Sequence, residues 1–321
     1  MDKVSKFFLI KPHSKFGFIL FDYLNNKSYT LDNNLQDYFN GVIEKNKLSK
    51  IGGKTKIEKL ISKNSGFWGE FNNKESLIYH LSGYNYPFLE YEDPKAFAID
   101  DFMMKKYGLK RNLPTPVKVY DVKKIDLIKG EDFPKISVSD ISKNNKIINN
   151  QDGIIKFGKF TYSSFVNTHP NKNQNKIIRR TVPSGGCKHP TEIYIIFPKN
   201  SFYGAGVYHY DSFTHKLDVI SEIDIWDKFI KASNYSFRPD AKFAVVYTSI
   251  VERAMYRYRD VRSTRAIFGD LGHIIQNTKY IGQGLGFTSI TEIKNNEDEL
   301  KKILGIKNTI EPVLATQAFY E

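Results

Sequence analysis

The chain has 321 residues, 40% hydrophobic and 14% aromatic, with 48 Lys and Arg against 35 Asp and Glu and a formal charge of +13. That apolar content excludes a disordered chain, and a single cysteine excludes an intramolecular disulfide or a Cys-based zinc site. No apolar run approaches the roughly 20 residues that cross a bilayer, residues 1–6 lack the pattern of a signal peptide, and the Lys are scattered singly among Asn and Ser, as on a solvated face. The expectation is a cytoplasmic protein with no metal and with neither nucleic-acid nor membrane partners.

In chain order, residues 7–10, 16–21 and 28–31 read as strands, with Asn25 and Asn26 as a turn, so a meander opens the sequence. Leu35, Tyr38, Phe39, Val42 and Ile43 recur at helical spacing, as do Ile57, Leu60 and Ile61 behind Gly52 and Gly53. Residues 1–108 are therefore expected to form a small N-terminal α+β domain, and its His13 and His80 lie far apart in sequence and read as structural. Pro114, Pro116 and Pro134 punctuate a connector, 109–140. Polar stretches at 142–152 and 167–176 read as surface loops.

The remainder of 141–321 reads as a second α+β domain. Residues 192–197 are strand-like, 206–211 with 215–217 suit a hairpin, and 242–249 suits a strand buried on both sides. Ala266, Ile267, Leu271, Ile274, Ile275, Thr278 and Ile281 mark a long helix ending at Gly284 or Gly286, and 312–319 is a last strand.

Chemistry concentrates in two places. Arg179 and Arg180 offer forked donors for a phosphate, and Ser184, Gly185 and Gly186 let backbone N–H groups approach a planar or anionic ligand. The spacing is not that of a nucleotide P-loop, and an ordinary loop has the same residue content. Residues 252–265 hold five arginines around Tyr256 and Tyr258; this is either a basic helix face paired with acids, or an anion site with a tyrosine that neighbouring cations make a usable acid or base. Gln276 and Asn277 are polar positions on the long helix that could satisfy a heterocycle.

Residues 180–186 (Arg-Thr-Val-Pro-Ser-Gly-Gly) with Pro190 and Glu192, then Val207-Tyr208-His209-Tyr210 and Leu217, then Arg257-Tyr258, Gly272-His273, Gln276-Asn277 and Gly284-Leu285-Gly286, resemble in order the motifs of the SagB-type dehydrogenases. These are flavin enzymes of the nitroreductase superfamily, and the resemblance, over about residues 155 to 319, is nearest to the azoline dehydrogenases that mature thiazole/oxazole-modified peptides. It implies a nitroreductase-like α+β fold that binds FMN at the interface of a homodimer. Pro183, Ser184, Gly185 and Gly186 would line the isoalloxazine, Arg179 or Arg180 would lie near the phosphate, and Gln276 and Asn277 would sit on the flavin-facing helix.

The implied reaction is oxidation of a Cys-, Ser- or Thr-derived azoline in a ribosomally made precursor peptide. A base takes the Cα proton and the flavin takes a hydride, within a complex containing a YcaO-type cyclodehydratase; the N-terminal domain is then a docking or dimerisation unit. A Lys-Tyr pair carries proton removal in the family, and it falls here on Arg257 and Tyr258. An arginine stays protonated, which leaves Tyr258, with Tyr256 an alternative. The early phosphate motif of the family is also missing, with Lys143, Lys146 or Lys156 as substitutes. An FMN oxidoreductase acting on another peptide group, such as a dehydroamino acid, and a flavin-free scaffold are the other readings.

Overall fold

The computed structural model describes the backbone of residues 8–13, 17–22 and 27–30, and residues 79, 94–109, 114–128, 153–168, 179–258, 262–308 and 310–321. The helices expected around 35–43 and 57–61, the turn at 25–26, His80 and the loop at 142–152 lie outside the described residues. Two compact units divide the chain, Met1–Met103 and Met104–Glu321.

In the first unit β1 (Phe8–His13), β2 (Gly17–Asp22) and β3 (Lys27–Thr30) form an antiparallel meander, with Phe8 opposite Asp22 and Ile19 opposite Thr30. Helix α1 (Pro94–Gly108) spans the division between the units.

Among the described residues, the second unit is built on seven strands: β4 (Lys124–Asp126), β5 (Thr191–Phe197), β6 (Gly206–Asp211), β7 (Lys216–Ser221), β8 (Phe243–Ser249), β9 (Thr288–Glu292) and β10 (Val313–Tyr320), in the order β4-β7-β6-β5-β8-β10-β9. Each neighbouring pair is antiparallel. Every residue of β5 and β8 is buried, because helices cover both faces of the sheet. Successive side chains of a strand alternate between faces. Ile193, Ile195 and Phe197 accordingly join a core with α2 (Gly153–Phe165) and α5 (Ser263–Gly284). Tyr194 and Ile196 join one with α3 (Trp226–Ala232) and α6 (Glu297–Leu304). The first core is aromatic: Phe243 and Phe319, opposite one another in register, stack at 4.8 Å, and Phe157 and Phe160 of α2 meet them edge-on at 5.1 and 4.9 Å. Truncating one such ring to alanine costs about 3–5 kcal/mol.

Helix α5 stops where glycine permits. The Phe287 N–H bonds the Gly282 carbonyl at 2.8 Å and the Gly286 N–H bonds that of Gln283 at 3.0 Å, with Gly286 left-handed at φ +87°; this is a Schellman ending. Among the described residues, no helix is long and apolar enough to cross a membrane.

One feature of the register positions the site. Thr191, at the start of β5, pairs with Ser249, at the end of β8, and Ile250 N–H bonds the Pro190 carbonyl at 2.8 Å. The segment entering β5 and the helix leaving β8, α4 (Val251–Tyr258), therefore emerge side by side.

Candidate active site

The segment entering β5 is first fixed to the end of α2. Asn167 and Arg180 form a β-bridge, and Thr168 N–H bonds the Arg179 carbonyl at 2.8 Å. A single 3-10 turn, Gly185–Cys187, follows. Gly186, Cys187 and His189 all have left-handed φ, at +60°, +54° and +43°, and each non-glycine residue there costs about 1–2 kcal/mol. Hydrogen bonds hold this conformation. Ser184 Oγ donates to Asp270 Oδ2 at 2.6 Å, Gly185 N–H donates to Asp270 Oδ1 at 2.9 Å, and Ser184 Oγ accepts the His189 N–H at 2.8 Å. Cys187 and Lys188 N–H bond the carbonyls of Ser184 and Gly185 at 3.0 and 3.4 Å. The N–H of Gly186 takes no part in these bonds, and Gly186 and Pro183 are exposed.

Helix α4 brings Tyr258 onto this loop. A methyl group added to Gly186 would fall 2.3 Å from the Tyr258 hydroxyl oxygen, so glycine is required there for space as well as for φ. The Arg257 guanidinium lies 5.8 Å from the centre of the Tyr258 ring, and Tyr256 is half-buried on the same helix. The other expected residues separate. Arg179 is exposed, whereas Arg180 turns inward and donates to the Thr191 carbonyl at 3.2 Å; burial lowers its pKa against the opposing charge of Glu192. Asn277 faces α2, donating to the Ser164 carbonyl at 3.4 Å, while Gln276 is exposed. Lys156 is buried and paired with Glu321, and Lys143 and Lys146 lie outside the described residues. A cleft of about 760 Å³, lined by Phe202, Trp226, Lys242 and Glu321 among others, opens at the other end of β5 and β8 and includes no residue of the loop or of α4.

No family model matches the chain. Over 143 residues the chain is 34% identical to the trifolitoxin-processing protein TfxB of Rhizobium leguminosarum bv. trifolii, an alignment covering 43% of this chain and 38% of that protein. Over 144 residues it is 24% identical to the microcin B17-processing protein McbC of Escherichia coli, covering 43% and 53%. These similarities accord with the resemblance to the SagB-type nitroreductase-like family. The fold agrees: the solved structure of an Anabaena variabilis protein assigned to the nitroreductases superposes with a TM-score of 0.52 at 19% identity, over 68% of this chain and 46% of that one. The match spans less than half of TfxB and about half of McbC.

In this chain the motif residues Glu192 and His209 belong to a line of alternating charge that is buried from Arg253 to Asp218. Arg253 of α4 donates to Glu192, to the His189 carbonyl at 3.1 Å and to the Thr115 carbonyl at 2.8 Å. His209 bridges Glu192 at 2.8 Å and Asp218 at 2.9 Å, and Lys124 closes the line on Asp218. Burial alone would lower the His209 pKa, but hydrogen bonds to Asp218 and Glu192, with their charges, raise it above its ordinary value. Burial likewise works to raise the Glu192 carboxyl, and Arg253 and His209 hold it well below the usual carboxylate range. Sequence reasoning passed over Asp270, whose signal was an acid on the apolar stripe of Ile267, Leu271 and Ile274. Arg253, one of the five arginines of 252–265, is paired with an acid as one of the two readings has it, but that acid is Glu192 inside the fold and Arg253 is 3% exposed.

Proposed function

We propose that this protein is an FMN-dependent oxidoreductase that converts Cys-, Ser- or Thr-derived azolines of a ribosomally made precursor peptide into thiazoles or oxazoles. The observation that carries the reading is the meeting of the Tyr258 hydroxyl with the bare backbone of Gly186. The residues fit the cofactor: the main chain at exposed Gly186 is within reach of a flat ring, the Gly186 N–H is outside the bonds that hold the loop, and exposed Arg179 supplies a cation for a phosphate. Pro183, Ser184, Gly185 and Gly186 would line the ring, with Gln276 and Asn277 on the adjoining helix.

When bound, FMN supplies the two-electron acceptor. The protein's part is to hold the azoline beside the loop and to take the Cα proton on Tyr258 Oη. Arg257, protonated throughout, is the neighbouring cation and not the base. A homodimer with FMN at its interface is supported by the outward face of α5, where Phe268 is 55% exposed and shares its side of the helix with the open backbone of Gly269 and Gly272 and with Gln276. The peptide substrate and a cyclodehydratase partner are supported by the names of TfxB and McbC, both peptide-processing proteins; residues 1–108 are the proposed docking unit for that partner.

Purified protein should carry a flavin absorbance spectrum and remove two hydrogens per ring from an azoline peptide, read by mass spectrometry. Tyr258→Phe should retain FMN and lose turnover by a hundredfold or more, on the order expected of a general base. Full activity in that variant would remove Tyr258 from the mechanism, and a colourless protein would leave the scaffold reading. The replacement of the expected lysine by Arg257 favours one second reading, oxidation or reduction of another peptide group, which a product without azole absorbance would reveal.

A further inference from the structure

The loop that carries Gly186 depends on a carboxylate that the proposed chemistry does not use. Asp270 sits in the middle of α5, 5% exposed, on the stripe that buries Ile267, Leu271 and Ile274. A buried charge is tolerated only where hydrogen bonds replace its water, and both Asp270 oxygens have protein partners: the Ser184 hydroxyl at 2.6 Å and the Gly185 N–H at 2.9 Å. Ser184 then relays the restraint, its Oγ accepting the His189 N–H at 2.8 Å. One side chain thus fixes Ser184 and Gly185 directly and His189 through Ser184, on the two sides of the left-handed pair Gly186 and Cys187. Packing agrees, since a methyl group on Gly185 would fall 3.2 Å from the Ala266 Cβ, one turn before Asp270.

We propose that Asp270 is the positioning residue of the cofactor loop, and that it acts through Ser184, which lines the ring while its hydroxyl proton is committed to holding the loop. The Ser184 hydroxyl donates its one proton to Asp270 and accepts from His189, so a ligand that accepts a hydrogen bond would have to displace Asp270 to use it. Asp270 in turn sets the height of Gly186 against Tyr258. The inference rests on the reading of this loop as the FMN cradle.

The test uses the full-length protein and titrates FMN by quenching of its fluorescence, with the visible circular dichroism of the bound flavin and amide hydrogen exchange of the FMN-free protein as second and third readouts. Asp270→Ala should weaken FMN about 10- to 100-fold, Ser184→Ala by a similar factor, and the double variant by no more than the larger single effect, because the two groups act in series. Asp270→Asn, which keeps an acceptor for Gly185 N–H, should recover part of the affinity. At saturating FMN, Asp270→Ala should show an altered visible dichroism, which loss of stability alone would not produce. Affinity within twofold of the wild type and an unchanged dichroism in both Asp270→Ala and Ser184→Ala would overturn the proposal, as would fully additive effects. Should Asp270→Ala not fold, Ser184→Ala decides by the same criteria. If the wild-type protein binds no FMN, the cofactor reading fails, and hydrogen exchange judges the positioning role by itself: faster exchange at Gly185 and His189 in Asp270→Asn or Ser184→Ala supports it, and unchanged protection overturns it.

Discussion

The loop at 183–190 and the charged line from Arg253 to Lys124 meet at the start of β5, yet they are built in opposite ways. The loop is half-exposed, holds two non-glycine residues in left-handed backbone, and is tied by single hydrogen bonds to one carboxylate. The line alternates Arg253, Glu192, His209, Asp218 and Lys124 across α4, β5, β6, β7 and β4, buried as far as Asp218 and reaching the surface at Lys124. Arg253 joins the two, since the guanidinium that pairs with Glu192 also takes the carbonyl of His189 in the loop. It reaches Thr115 in the connector as well, where Lys118 is separately pinned to Glu311 at 2.7 Å and to Tyr194 at 2.6 Å. The contrast teaches a division of labour. The frame is fixed by charges that cannot be separated without leaving one of them buried and unpaired, whereas the loop is held by bonds weak enough for a ligand to adjust.

The largest expected effect comes from breaking the frame. Glu192→Ala leaves Arg253 and His209 facing each other without their shared carboxylate, and removal of one partner of a buried ion pair costs about 3–5 kcal/mol. A fall in melting temperature of about 10 °C or more, by circular dichroism, follows for a unit of this size; a fall of only a degree or two would show that water or side-chain movement compensates, and that the frame is softer than its geometry implies. A change to the loop should act the other way round, on function more than on stability. Gly186→Ala places a methyl group at φ +60° and 2.3 Å from the Tyr258 oxygen, with a backbone penalty of about 1–2 kcal/mol. Because Tyr258 must move, turnover should fall at least about tenfold while the melting temperature drops by only a few degrees. Equal activity with an unchanged FMN affinity would separate Tyr258 from the loop.

The same contrast governs what could be read in the sequence. The runs that became β5 and β8 were legible because burial on both faces leaves them continuously apolar, and α5 was legible from its spacing down to the Gly286 ending. Helix α2 was not anticipated: Phe157, Phe160 and Phe165 recur at helical intervals, but Gly153, Gly158, Thr161 and Ser164 are weak helix formers that conceal the pattern. The three-residue β4 exists through its pairing with β7 rather than through any propensity of its own. In the site, the glycines, Arg257 and Tyr258 could be picked out by residue type and resemblance. The contact of Tyr258 with Gly186 across 72 positions, the inward turn of Arg180 and the pairing of Asp270 with Ser184 arise from strand register and helix packing, which no local window contains.

The smallest expected effect, and the one that isolates the frame from the loop, is in pH. His209 has a raised pKa in the folded chain, so its contribution to stability is fully present below its unfolded value of about 6.5 and is lost as pH rises through the folded value. Glu192 has a lowered one, so its contribution is present above its unfolded value of about 4.5 and is lost as pH falls through the folded value. The frame is therefore strongest between about pH 4.5 and 6.5. Thermal melts of the wild type from pH 6 upward should show a decline that is shallower in His209→Gln, once each is referred to its own value at pH 6. FMN affinity should change little over the same range if the loop is independent of the His209 charge. Parallel slopes in the two proteins would mean that His209 keeps its proton throughout, or that the neutral ring serves the two carboxylates equally well; a fall in FMN affinity that tracks the wild-type melt would show that frame and loop move as one.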